Sequence, residues 1–419
     1  MAEAAHQIRP EVHIDLLMEE LTALANITEG DPPVVTRVVF SEADLRGRTH
    51  VKELCYEAGL QIREDAIGNT FIRWEGTEPE LAPVATGSHI DAIPNAGAYD
   101  GVVGVLGGLE AIRSLQRAGF KPRRPIELIL FTSEEPTRFG IGCLGSRVMG
   151  GVLTVVEAEA LRDKQGRSMD FLRTRAGFAG SFASVQLKPG HFHAFVELHI
   201  EQGPILEREG LDLGVVTHIA APASLKITIQ GTGGHAGAML MPDRHDALCA
   251  ASELTLALET AAKSTGAIDS VATVGICDVF PSAVNSVPSR VRLEVDIRDI
   301  DGPRRDGMIA ALKAAAELVT EKRGVSIEFE TVNADPPTTC DPAIVDAVQH
   351  AVTASGLSSK RMVSRAYHDS LFVARFAPVA MIFTPCRGGV SHRPDEYASP
   401  EWIAGGVEVL ARTLANLAS

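Results

Sequence analysis

The chain has 419 residues, of which 45% are hydrophobic and 22% charged. That length suits about two or three domains, and that balance excludes disorder over most of the chain. A formal net charge of −15 opposes a phosphate backbone, so general nucleic-acid binding is excluded.

Residues 9–27 place Ile14, Leu17, Leu21 and Leu24 at helical spacing, which predicts an amphipathic helix. Residues 41–59 predict another, with Ser41 as N-cap and Glu42 and Asp44 in its first turn. Leu60–Arg63 and Thr70–Trp74 read as paired strands around the Gly68-Asn69 turn. Pro83–Ser88 is an expected strand, Gly101–Ala118 a long apolar helix, and Ile126–Thr132 a strand buried on both faces. This alternation predicts an α/β sheet with helices on both sides.

From about residue 213 the pattern changes. Leu225–Gln230, Val271–Val279, Arg290–Ile300 and Val325–Thr331 read as strands, and Asp246–Ala262 and Asp306–Glu321 as helices. In Arg290–Ile300, Val291, Leu293, Val295 and Ile297 alternate with charged residues, the mark of a sheet wet on one face. The order β-α-β-β-α-β is the split, ferredoxin-like module. The expected architecture is therefore a discontinuous catalytic domain, residues 1–213 and 332–419, with a central mixed, mostly parallel sheet flanked by helices. A ferredoxin-like module over residues 214–331 is inserted into it.

No stretch reaches the ~18 apolar residues of a membrane span. Residues 1–27 carry Glu3, Glu11, Asp15, Glu19 and Glu20 and lack the basic start of a signal peptide, so a cytoplasmic location is expected. Six cysteines, Cys55, Cys143, Cys249, Cys277, Cys340 and Cys386, form no C-x-x-C pair and read as reduced, mostly buried thiols.

Chemistry-bearing residues cluster after strands. His89 and Asp91 follow the Pro83–Ser88 strand, and Asp100 opens a helix. Glu134 and Glu135 follow a strand with almost no polar residues. His199 and His392 lie in Glu197-Leu198-His199-Ile200-Glu201-Gln202-Gly203 and Gly388-Gly389-Val390-Ser391-His392. Singly, each has a bland reading: a structural histidine, or a solvated acidic face. His89, Asp100, Glu134 and Glu135 lie where ligands of open α/β sheets bind, beyond the carboxyl ends of strands. Three histidines and several carboxylates suffice for two divalent ions held about 3.5–4 Å apart by a bridging carboxylate. This donor set suits Zn²⁺, Mn²⁺ or Co²⁺ better than Ca²⁺ or Mg²⁺, and the lack of Cys in it favours Mn²⁺.

These motifs, with Gly97-Ala98-Tyr99-Asp100-Gly101, Ser133-Glu134-Glu135-Pro136-Thr137-Arg138-Phe139 and Gly231-Thr232-Gly233-Gly234-His235-Ala236-Gly237, resemble the M20 family of dinuclear metallohydrolases. The resemblance covers nearly the whole chain. It falls within the branch of allantoate, ureidoglycolate and N-carbamoyl-L-amino acid amidohydrolases. It implies that His89 and His199 bind one metal and Glu135 and His392 the other, with Asp100 bridging. It implies that Asp91 holds His89, and that Glu134 is the general base that later returns a proton to the leaving nitrogen. The inserted module would be a lid and dimerisation domain, its His235 reaching the partner subunit's site to stabilise the oxyanion. Gln202, Asn285 and Arg298 would grip a substrate carboxylate. The bland alternatives are a histidine in a glycine turn for His235 and a solvated charge for Arg298.

Arg365-Ala366-Tyr367-His368-Asp369-Ser370-Leu371 departs from the glycine-rich Gly-Ala-Gly-His-Asp of most of the branch. Here it resembles the plant ureidoglycolate amidohydrolases, as do Ser133–Ser146 and Tyr397-Ala398-Ser399-Pro400-Glu401. Tyr367 would narrow the pocket toward a short, hydroxylated substrate. His368 would contact it, and Asp369 would orient His368. The implied reaction is hydrolysis of (S)-ureidoglycolate to glyoxylate, ammonia and CO2, with two divalent ions per subunit, Mn²⁺ first. Allantoate, N-carbamoyl-L-amino acids or another small amide are the alternative substrates, and a homodimer is the expected assembly.

Overall fold

The computed structural model describes residues 9–419. The acidic residue Glu3 of the N-terminal reading lies outside them. The chain divides into two compact units. One comprises residues up to Thr217, Thr339–Ser364 and His368–Ser419, and the other His218–Thr338 with Arg365–Tyr367.

The first unit is built on a nine-stranded mixed sheet. From one side its order runs Thr338–Thr339, Leu213–Ile219, Val379–Thr384, Ala194–Ile200, Val84–Ser88, Ile126–Leu130, Thr70–Trp74 and Gln61–Glu64, and Ser359–Ser364 also pairs with Leu213–Ile219. The expectation of a mostly parallel sheet needs correction. Parallel pairing joins Val379–Thr384, Ala194–Ile200, Val84–Ser88 and Ile126–Leu130, whereas Thr70–Trp74, Gln61–Glu64 and Leu213–Ile219 pair antiparallel. The antiparallel flank follows from the short Gly68-Asn69 connection, which can only return a strand alongside its neighbour. The four parallel strands are buried along their whole length, as their apolar runs require. Being parallel, they end on one edge of the sheet, at Ser88, Leu130, Ile200 and Thr384.

Helices Val102–Arg117, Pro342–Ser355 and Pro400–Leu417 pack on this sheet. Val102–Arg117 approaches closely through its glycines: a Cβ on Gly104 would lie 2.4 Å from the Leu198 carbonyl oxygen. Helix Glu42–Glu57 starts where its capping sequence predicts, with the Ser41 hydroxyl accepting from the Asp44 N–H at 3.3 Å. Helix Ile14–Ala25 buries Leu17, Leu21 and Leu24 as its spacing requires.

The second unit has a four-stranded antiparallel sheet in the order Val271–Phe280, Arg290–Asp299, Ala221–Gln230, Ser326–Ala334. Helices Ala247–Ser264 and Gly302–Arg323 supply Leu254, Leu258, Met308 and Leu312 to a core with Leu225, Ile227, Ile229, Leu293, Val295 and Ile297. Along the chain the order is strand, helix, two strands, helix, strand. The unit is shifted toward the C-terminus relative to the sequence boundaries of 214 and 331. Leu213–Ile219 pairs with Val379–Thr384 of the first unit's sheet, so the division comes after Thr217. At the other end, pairing with Ala221–Gln230 continues to Ala334.

Candidate metal centre

Site residues gather at the edge where the four parallel strands end. His89 follows Ser88 directly, Glu134 and Glu135 follow Ile126–Leu130 by a short loop, and His199 lies within the last turns of the Ala194–Ile200 strand. His392 lies on the loop after Val379–Thr384, and Asp100 stands before helix Val102–Arg117.

Two groups of three ligating side chains share one residue. His89, Asp100 and His199 form one, and Asp100, Glu135 and His392 the other, with the ligating atoms of each group all within 4.8 Å of one another. Asp100 Oδ1 lies 3.2 Å from His199 Nε2 and 3.7 Å from His89 Nε2, while its Oδ2 lies 3.3 Å from His392 Nε2. Glu135 Oε1 is 3.2 Å from the same His392 nitrogen. Each carboxylate oxygen of Asp100 therefore faces a different group, the disposition a bridging ligand needs. Both Nδ1 atoms are committed: His89 to the Asp91 carbonyl at 3.0 Å and His199 to the Ile200 carbonyl at 2.9 Å. That fixes the rings with Nε2 turned inward. This donor set fits two divalent cations.

Glu134 places Oε2 3.6 Å from His89 Nε2, while its Oε1 accepts a hydrogen bond from the Cys143 thiol at 3.4 Å. The backbone around it is pinned by the turn that starts helix Leu144–Met149. Cys143, Leu144 and Gly145 N–H groups donate to the Glu134, Ser133 and Thr132 carbonyls at 2.7–2.8 Å. Ser133, Cys143, Gln202 and His392 are non-glycine residues with φ between +53° and +59°. Such left-handed conformations cost about 1–3 kcal/mol each and persist only where the surroundings impose them.

The electrostatics are those of crowded buried carboxylates. Burial, then Glu135 and Asp369, pushes Glu134 well above the usual carboxylate range. Burial also raises Glu135, and burial with Asp44 raises Asp91 to about 7. Burial opposes ionisation of Asp100, yet hydrogen bonds from His199 and His392 hold it well below its ordinary value. Burial works against the His199 charge too, but Asp100 prevails and lifts it to about 9. Hydrogen bonds to Asp100 and Glu135 lift His392 to about 11. The only cations among these groups are protons on imidazoles, a deficit that divalent ions would fill.

Asp91 does something other than expected. Its carboxylate lies 3.7 Å from His89 Nδ1, and the hydrogen bond goes to its backbone carbonyl instead. The carboxylate accepts the Glu134 N–H at 3.2 Å and the Glu135 N–H at 3.1 Å. It thus ties the His89 loop to the Glu134–Glu135 loop. Gln202 donates to Asp100 Oδ2 at 2.7 Å. His368 is buried, its ring 4.5 Å from that of His199 and its Nε2 3.0 Å from Ser364 Oγ. Asp369 accepts a hydrogen bond from Ser146 Oγ at 2.5 Å, which ties it to helix Leu144–Met149.

The remaining expected residues belong to the second unit. His235 is exposed in a short pair with Ser286–Val287, and the adjacent Ala236 N–H donates to the Asn285 carbonyl at 2.8 Å, which brings His235 and Asn285 into one loop pair. Arg298 is not free on its wet face. It holds Asp296 at 2.7 Å and donates to the Arg365 carbonyl at 3.2 Å, which attaches the Arg365–Tyr367 segment to this unit.

Residues 85–416 match the description of peptidase family M20/M25/M40. The chain belongs to this family. Among its M20 relatives, the ureidoglycolate hydrolase of Arabidopsis thaliana is 53% identical over 408 residues, 96% of this chain and 86% of that protein. The N-carbamoyl-L-amino acid amidohydrolase of Geobacillus stearothermophilus is 37% identical, over 96% of this chain and 98% of its own. The crystal structures of AtUAH in complex with glyoxylate and with (S)-hydroxyglycine superpose with TM-scores of 0.90, at 52% and 51% identity and over 99% of each chain.

Two residues of this M20 site had no role in the sequence reading. Glu396 is buried, and its Oε1 accepts the Tyr99 and Asp100 N–H groups at 2.8 and 3.0 Å. Its Oε2 meets Ser391 Oγ at 2.9 Å, and that hydroxyl also lies 2.6 Å from Asp100 Oδ2. Glu197, fully buried, meets Ser88 Oγ at 2.9 Å and Ser370 Oγ at 2.6 Å beneath His199. The only signal for either was an acidic residue beside a motif histidine.

Proposed function

We propose that this chain is a metal-dependent amidohydrolase that cleaves the terminal ureido C–N bond of (S)-ureidoglycolate. The observation that carries the chemistry is Asp100 shared between two ligand groups, with the Glu134 carboxylate beside them. Two divalent ions, Mn²⁺ before Zn²⁺ or Co²⁺, would supply Lewis acidity and lower the pKa of water at the site. His89 and His199 would hold one ion and Glu135 and His392 the other, with Asp100 between them. Glu134 would take the proton of the attacking water and deliver it to the leaving nitrogen. Asp91 and the Cys143 turn keep its backbone and carboxylate in place for both transfers.

Hydrolysis releases one ammonia and leaves a carbamate. Loss of CO2 gives hydroxyglycine, which expels the second ammonia to give glyoxylate. The balance is ureidoglycolic acid plus one water to glyoxylic acid, two ammonia and one CO2. The substrate rests on the full-length likeness to ureidoglycolate hydrolase and on Tyr367. The 37% identity to an N-carbamoyl-L-amino acid amidohydrolase supports the alternative, the same chemistry on a carbamoyl amino acid or allantoate.

The second unit would act as a ferredoxin-like lid and dimerisation domain, with His235 serving the oxyanion, and Gln202, Asn285 and Arg298 would grip the substrate carboxylate. Tyr367 and His368 would shape the pocket. Strand Val271–Phe280 supports the dimer. It is the end strand of its sheet, and it exposes Val271, Ile276 and Phe280, with Val284 beyond it. Such an edge invites pairing with a second copy. Sedimentation should give a dimer, and an active monomer would count against this role.

The deciding experiment is ammonia release by metal-stripped protein reloaded with Mn²⁺, on ureidoglycolate, allantoate and several N-carbamoyl-L-amino acids. Ureidoglycolate should be preferred. Glu134→Gln should retain its metal and lose the activity by a factor of at least about 10². Full activity in that variant overturns the assigned base, and preference for another substrate moves the chain to the alternative.

A further inference from the structure

Away from the metal centre, a cavity of about 760 Å³ opens between the first turns of helix Glu42–Glu57, the end of helix Met169–Arg175 and the segment that carries Arg138. None of the metal-centre ligands lines it. Four arginines do: Arg46, Arg138, Arg167 and Arg175. Arg167 is held by Asp163 at 2.7 Å, and Arg175 lies over the Phe171 ring. Among the described residues Arg138 forms no ion pair or ring contact. Its Nε is buried without a hydrogen bond, as is His50 Nε2 on the cavity's wall. Glu29, Glu42 and Glu53 also line the cavity, but among the described residues none forms an ion pair with these arginines.

A buried guanidinium N–H without an acceptor is costly, and a second guanidinium nearby adds repulsion. Burial and then Arg167 push Arg138 below its ordinary range, against the opposing pull of Asp163, Glu29 and Asp44, so the two guanidinium charges feel each other. An anion between them removes both penalties. The planar N–H fork of arginine matches a carboxylate in two-point fashion. Ile27, Phe40, Leu45 and Leu172 give the cavity apolar walls for a short carbon skeleton, and the three glutamates offer acceptors to an N–H or O–H. The volume is within the range of small-molecule pockets.

We propose that this cavity is a second ligand site, which takes a small carboxylate bearing an N–H or O–H donor, with Arg138 as its anchor. Arg138 stands three residues beyond Glu135 and four beyond Glu134 on the same loop. Occupancy therefore bears on the segment that carries the base and a metal ligand.

The test is titration calorimetry of the full chain with glycolate, L-malate, L-serine and inorganic phosphate, on metal-loaded and metal-stripped protein. Carboxylate bound at the metals disappears on stripping, whereas carboxylate bound in the cavity stays. The expected result is saturable binding of at least one carboxylate that survives stripping and weakens by about tenfold or more in both Arg138→Gln and Arg175→Gln. These variants lie on different walls, so a folding defect in one leaves the other informative. No saturable binding, binding lost on stripping, or binding unchanged in both variants overturns the site. Phosphate bound in preference to every carboxylate overturns the ligand class.

Discussion

Ser391 Oγ lies within hydrogen-bond distance of both Asp100 Oδ2 and Glu396 Oε2. A hydroxyl has one proton, so it can donate to only one of them. If it donates to Asp100, Glu396 must bring its own proton. Burial, then the charge of Asp100, raises Glu396 to about 7, which agrees with that arrangement. A glutamine at this position can do the same: its oxygen accepts the Tyr99 and Asp100 N–H groups, and its amide donates to Ser391. Glu396→Gln should therefore keep Mn²⁺ affinity close to that of the parent. Glu396→Ala leaves two backbone N–H groups unpaired beside Asp100 and should weaken Mn²⁺ binding by roughly 10–100-fold, the usual effect of removing such a support. Calorimetric titration with Mn²⁺ checks both, and equal losses in the two variants would sink the proton assignment. The sequence showed His89, Asp100, Glu134 and Glu135 because each follows a strand or opens a helix, and His199 and His392 because they lie in recognisable motifs. Glu396 escaped it because its partners lie 296 and 297 residues earlier, a distance no local pattern spans.

At the scale of the element, the centre depends on how helix Val102–Arg117 begins. Gly101 has φ +68°, and a Cβ there would sit 2.4 Å from His89 Nε2. Gly119, just past the end of the same helix, has φ +71° with nothing within 4 Å of such a Cβ. The pair separates strain from contact. Both Gly101→Ala and Gly119→Ala should lower stability by about 1–3 kcal/mol through their left-handed backbone. Only Gly101→Ala should also displace His89 and weaken Mn²⁺ binding. Thermal unfolding and metal titration of both variants measure this, and unimpaired metal binding in Gly101→Ala would show that His89 has more room than its surroundings suggest. The elements themselves were largely legible. Caps such as Ser41 and Asp246 mark helix starts, and strict alternation marks Arg290–Asp299. Strand Ala92–Ala96 was not, because Pro94 and Asn95 disguise a short pairing with Val35–Arg37. Strand Val379–Thr384 is an apolar run up to its last residue, which periodicity alone does not separate from buried helix, and Ala194–Ile200 interrupts its apolar residues with Glu197 and His199.

The whole molecule carries the metal centre as a store of unfavourable charge. Asp91 and Glu396 are each raised to about 7, against an unfolded value near 4, so the folded state holds more protons between those limits. Stability therefore falls as pH rises through that window. His199 and His392 are raised to about 9 and about 11. Their contribution is complete below about 6.5 and is lost as pH rises through the folded values. The two kinds of group thus act with the same sign, the carboxylates up to about pH 7 and the histidines above about 6.5. Carboxylates lowered by partners elsewhere, such as Asp163 and Asp299, act only below their ordinary range and leave this window untouched. Divalent ions take the place of those protons, and they bind more tightly as proton competition fades. Metal-stripped protein should lose Tm steadily from about pH 6 to about pH 9, while Mn²⁺-loaded protein changes less, so the gap between them widens. Scans of both forms across that range make the comparison. Parallel curves would mean that the raised groups keep their protons in the loaded enzyme, which would place the cations somewhere other than around Asp100.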